Sequence, residues 1–148
     1  MEKFIKLFLL IVVLSTTAFF IYADYDAIIG GRMLSLYEWL ITIATLITSF
    51  FAIPSIIFWY KMLLFDCNFI FKDIDKSDKE FLADFKNLAL LSFIHSLLLF
   101  ISIAIFLSRI IFNPTANIYS FFIIFLLLLL FITIAGINKI TLNKIKTV

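Results

Sequence analysis

Long apolar runs separated by short polar segments organise this chain, and the runs have the length of membrane spans. Crossing a hydrocarbon core about 30 Å thick takes about 20 apolar residues, because each helical residue rises about 1.5 Å. Four segments meet that requirement: about Phe4 to Ala23, about Leu36 to Met62, about Leu88 to Phe112 and about Ile118 to Ile137. The predicted fold class is all-α, a single four-helix transmembrane domain over residues 1–148. Pro54 lies inside the second run and predicts a kink there. Between the third and fourth runs stands NPTAN, Asn113 to Asn117, whose proline disfavours helix at the preceding residue. So short a connection predicts an antiparallel helical hairpin.

One polar stretch interrupts the pattern. FIFKDIDKSDKEFLADFKNLA, Phe69 to Ala89, carries Lys72, Asp73, Asp75, Lys76, Asp78, Lys79, Glu80, Asp84 and Lys86, and dominates a loop over about 63–87. Ser77-Asp78-Lys79-Glu80 has the form of a capping box. Behind it, Phe81, Leu82, Phe85, Leu88 and Ala89 recur at helical spacing and predict a short amphipathic helix. Such a helix would set Phe81, Leu82 and Phe85 against lipid headgroups or a partner, or run straight into the third span. The loop as a whole reads as a solvated, charged linker. Asp73, Asp75, Ser77 and Asp84 have the spacing of calcium-loop ligands, but Asp78 stands where that loop requires glycine. No metal site is predicted.

Composition sharpens the class. The chain is 64% hydrophobic and 15% charged, with a mean hydropathy of +1.17, against about 45 to 50% apolar residues in an ordinary soluble domain. A net charge of +2, dispersed among carboxylates, predicts no nucleic-acid partner. Cys67 is the single cysteine, which excludes an intrachain disulfide and reads as a free juxtamembrane thiol. Phe at 20 residues, with abundant Ile, Lys and Asn, fits AT-rich coding and a bacterial source.

Orientation follows from the basic residues, which are retained near cytoplasmic span ends. Lys3, Lys6, Lys61, Lys72, Lys76, Lys79, Lys86, Lys139, Lys144 and Lys146 flank one side, and only Arg32 and Arg109 the other. Both termini and the 63–87 loop are therefore expected in the cytoplasm, with the spans in a bacterial plasma (inner) membrane. MEKFIK, an apolar run, and Tyr22-Ala23 before Asp24 have the parts of a secretory signal. The run is too long and Ile21 too bulky for cleavage, so a retained signal-anchor is expected. Gly30-Gly31, with Asp24 and Asp26, reads as an acidic, flexible outer turn.

Polar residues within the spans are the informative ones. Glu38, Thr42, Thr45 and Ser49, followed by Ala52, share one face of the second span, and Ser92, His95, Ser96, Ser102 and Arg109 one broad face of the third. Hydroxyl and small-residue stripes allow close approach, so these faces are expected to pack together. Glu38 and Arg109 are placed to pair at the outer edge. His95 is the one ionisable side chain deep in a span and reads as hydrogen-bonded packing, since a proton relay requires several such groups. The rival reading makes the same stripe the lining of a conduit.

Enzyme signatures are absent: three glycines form no phosphate loop, and neither a nucleophile elbow nor a zinc helix occurs. No catalytic residue and no cofactor are predicted. In size, span number and Phe-rich helices the chain resembles the immunity proteins of pore-forming bacteriocins. That resemblance implies silencing of a membrane-inserting toxin. The general expectation is a non-enzymatic protein acting by lateral association with another integral membrane protein or with itself, surrounded by membrane lipid. Its forms are an accessory or regulatory subunit and an immunity-type protein; the alternative is a small oligomeric transporter or channel component.

Overall fold

A computed structural model describes residues 1–31, 33–65, 68–112 and 117–148, with the side chain of Arg109 excepted. Arg32, Cys67, Asn113 to Ala116 of the expected turn, and the expected Glu38 to Arg109 pair lie outside the described residues. Among the described residues five helices follow in order: α1 (Glu2–Ile29), α2 (Leu36–Leu64), α3 (Lys76–Ala83), α4 (Lys86–Ile111) and α5 (Ile118–Lys146). Four of them are long and apolar enough to cross a membrane.

Two of the long helices overrun the apolar segments that define them. α1 continues past Ala23 to Ile29, because no glycine or proline interrupts it before Gly30. Asp24 and Asp26 are therefore helical, which corrects the expectation that they belong to an outer turn. The turn begins at Gly30, and Gly31, at φ 70°, takes the left-handed conformation that glycine adopts without strain. α5 continues to Lys146, because Asn138, Thr141, Leu142 and Ile145 keep its buried face in register. α2 runs through Pro54 without interruption. Ser35 caps α2 by accepting from the Glu38 amide at 3.2 Å, and Asn117 caps α5 by accepting from the Ser120 amide at 2.9 Å.

The helices pack as an antiparallel series: α1 on α2, α2 on α4, α4 on α5, with α3 touching α5. α1 and α5 make little direct contact among the described residues. Large apolar side chains remain on the outer surfaces, including Phe4, Phe50 and Phe122. Water would penalise that exposure, whereas hydrocarbon does not.

The charged segment keeps most of its charged side chains exposed, as a solvated linker would, but its apolar residues are anchored to the bundle. Phe69, Ile70 and Leu82 are buried, and Phe65 stacks on Phe81 with ring centroids 4.0 Å apart. The first turns of α1 hold the segment down. Glu2, itself buried, accepts the amides of Phe69 and Phe71 on its two carboxylate oxygens at 2.8 and 3.0 Å. Lys6 donates to the Phe65 carbonyl at 3.3 Å and lies 4.9 Å from the Phe69 ring centroid. From the other side, Lys144 donates to the Lys72 carbonyl at 2.6 Å and Lys86 to the Val148 carbonyl at 3.0 Å. The segment closes the end of the bundle that holds both termini.

α3 starts two residues earlier than the capping box implied. Its N-cap is Asp75, in extended conformation at φ −68° and ψ 153°, so Ser77 is already helical and cannot cap. α3 stops at Ala83, and a turn at Asp84 and Phe85 separates it from α4, so the two do not form one straight helix. Leu82 points into the core and offers no surface to lipid or partner, while Phe81 and Phe85 are half-buried with rings 4.9 Å apart. The Asp73 to Asp84 spacing is spanned largely by helix and has no loop to wrap an ion.

Candidate functional site

Two polar features lie inside the bundle: a seam between α2 and α4, and a cavity at the end away from the termini. The seam grows from the residues at every third or fourth position of α2 that become buried: Thr48, Ala52, Ser55 and Trp59. Opposite them on α4 lie Ser92, His95, Ser96 and Ser102, all buried. Thr48 and Ser102 hydroxyls meet at 3.1 Å, and Ser55 and Ser92 at 3.0 Å. Ser96 bonds its own helix at the Phe93 carbonyl, 2.6 Å away. Near the far end, the Tyr37 hydroxyl bonds the Ile105 carbonyl and lies 3.0 Å from the Ser108 hydroxyl.

Ser92 is the hub of the seam. Its hydroxyl donates to Asn138 Oδ1 of α5 at 2.9 Å and accepts from Trp59 Nε1 at 3.1 Å. A hydroxyl has one proton, and Asn138 takes it, so Ser55 must be the donor in its bond to Ser92. Asn138 completes its own amide by donating Nδ2 to the Ile134 carbonyl at 3.1 Å. One serine thereby joins three helices.

The expected stripe on α2 divides into unequal parts. Ser49 is half-buried and donates back to the Thr45 carbonyl at 2.9 Å, while Thr48, absent from the sequence-based set, makes the contact with α4. Both residues fit helical spacing from Thr45, one at i+3 and one at i+4, and only the angle at which α4 crosses selects between them. Ser55, Trp59 and Asn138 were also not singled out from the sequence. Their signal was the recurrence of a polar or amphipathic residue on the inward face.

Thr42, Thr45, Ser102 and Glu38 line the second feature, a partly open cavity of about 470 Å³ bordered by α1, α2, α4 and α5. Phe19, Phe20, Ile103, Phe106 and Ile124 are among the residues of its apolar wall. Asp24 also lines it and is 5% exposed. The Thr45 hydroxyl lies 2.5 Å from Asp24 Oδ1, the spacing of a charge-assisted hydrogen bond. Asp24 Oδ2 is buried and has no hydrogen-bond partner among the described residues. Sequence reading missed this carboxylate because it stands one residue beyond the apolar run. Among the described residues, no three His, Cys, Asp or Glu side chains converge as metal ligands do.

The fold and these interior features define a multi-pass, all-helical membrane protein. Comparison with protein families, with curated proteins and with solved structures gives no match.

Proposed function

We propose that this is a non-enzymatic protein of the bacterial plasma membrane, with both termini and the charged segment in the cytoplasm, that acts by lateral association with another membrane protein. The seam carries the reading. Hydroxyls that would have to face water in a conduit are spent on one another, Thr48 on Ser102 and Ser55 on Ser92, and Phe58, Trp59 and Met62 fill the interior beside them. This weighs against a small oligomeric transporter or channel. The termini end is closed by the folded-down 68–85 segment, so the largest surface available to another molecule is the apolar flank of the helices. Such a flank suits an accessory or regulatory subunit, and equally an immunity-type protein that meets its toxin within the bilayer.

The test is purification of the tagged chain from native-level expression in mild detergent, followed by mass spectrometry of the material that accompanies it. A stoichiometric membrane partner is the expected result. Recovery of self-oligomers alone, together with ion or solute flux in liposomes, would overturn the proposal. Protection of expressing cells against one membrane-inserting toxin would select the immunity form.

A further inference from the structure

The cavity holds a carboxylate whose second oxygen is left without a partner, and that combination points to a ligand. A buried carboxyl oxygen with no hydrogen-bond partner is disfavoured unless something supplies one. Asp24 satisfies only Oδ1, through Thr45. Among the described lining residues, Asp24, Asp26 and Glu38 are acidic and none is basic, so the chain itself brings no described cation to the cavity. Glu38 is already engaged in an interaction of its own and Asp26 is exposed, which leaves Asp24 as the buried group to be neutralised. The rest of the wall is mainly apolar, broken by the hydroxyls of Tyr22, Thr42, Thr45 and Ser102, and includes Phe19, Phe20 and Phe106, whose aromatic rings can attract cations.

We infer that the cavity binds an alkylammonium group carried on an apolar body, with Asp24 as its counter-ion. Three donors on a primary ammonium suit the open Oδ2, and an apolar body suits the remaining wall. A volume of about 470 Å³ falls within the range of small-molecule sites. Access is from the side. Phe19 and Tyr22 line the cavity yet are 65% and 71% exposed on the outer surface of α1, and α1 and α5 pack little on each other. A molecule dissolved in the bilayer reaches the cavity through that gap with its amine leading. Two sources share this chemistry, an aminophospholipid of the membrane and a free apolar amine. The inference requires no protein partner and stands apart from the lateral-association reading.

The experiment is native mass spectrometry of the full chain released from non-ionic detergent and titrated with dodecylamine, with dodecanol as the uncharged counterpart. A saturable single adduct with dodecylamine and a much weaker one with dodecanol are expected. Asp24→Asn keeps the shape and can still bond Thr45 but removes the charge. It should weaken dodecylamine binding roughly tenfold to a hundredfold, the weight of one charge-assisted hydrogen bond. Ile124→Trp leaves Asp24 intact, narrows the cavity and should weaken the adduct, so the inference remains testable if the Asp24 variant folds poorly. Phosphatidylethanolamine that displaces dodecylamine identifies the lipid as the source; failure to displace it identifies a free amine. Equal binding of dodecanol, an unchanged affinity in Asp24→Asn, or no adduct at all would overturn the inference. Loss of a protein partner in Asp24→Asn without any amine adduct would transfer the carboxylate to a basic side chain of that partner and would also overturn it.

Discussion

Replacing Ser92 by alanine tests whether one hydroxyl ties three helices together. The change removes three hydrogen bonds at once: to Asn138 at 2.9 Å, from Trp59 at 3.1 Å and from Ser55 at 3.0 Å. Interhelical hydrogen bonds in membrane bundles average about 0.6 kcal/mol each, so the sum is roughly 2 kcal/mol. Alanine fits the space of serine, so overpacking does not contribute. The unfolding free energy of purified protein, measured by titrating a denaturing detergent into mild mixed micelles, should fall by that amount. Ser55→Ala alone removes one bond and should cost about 0.6 kcal/mol. The double variant should match Ser92→Ala and not the sum, because the Ser55 bond is already gone when Ser92 is absent. A loss under about 0.5 kcal/mol for Ser92→Ala, or additivity of the two changes within about 0.3 kcal/mol, would refute the hub.

Three further outcomes follow from the same geometry. Glu2→Ala leaves the buried Phe69 amide without an acceptor, at a cost of about 1 to 3 kcal/mol; hydrogen exchange at Phe69 and Phe71 and proteolytic cutting between residues 68 and 75 should both rise, and unchanged protection would show that the segment is held by other contacts. Thr48→Leu forces extra volume into the α2–α4 contact and should destabilise by about 1 to 3 kcal/mol, whereas Ser49→Leu should stay within about 0.5 kcal/mol; the reverse order in detergent titration would return the contact to Ser49. Asn117→Ala removes the cap of α5 and should cost about 1 kcal/mol, visible as faster exchange at Ser120.

Membrane-class architecture was legible in the sequence because lipid leaves the backbone few choices. Every amide buried in hydrocarbon must bond within its own segment, so an apolar run of span length specifies a helix without reference to its neighbours. The four long helices rest on that local rule. Choices that depend on another part of the chain were not legible. Glu2 acquires its role from amides 67 and 69 residues away, and without that contact the Phe69 segment reads as a charged linker. Thr48 and Ser49 are equivalent in helical spacing until α4 crosses at one angle and takes Thr48 as its partner. Asp24 reads as the start of a turn until the hydroxyl of Thr45, 21 positions onward, draws it to the wall of a cavity. Solvent transfer is a property of each run of residues and is written along the chain, whereas a hydrogen bond between helices exists only once packing has set two distant groups within 3 Å or so of each other.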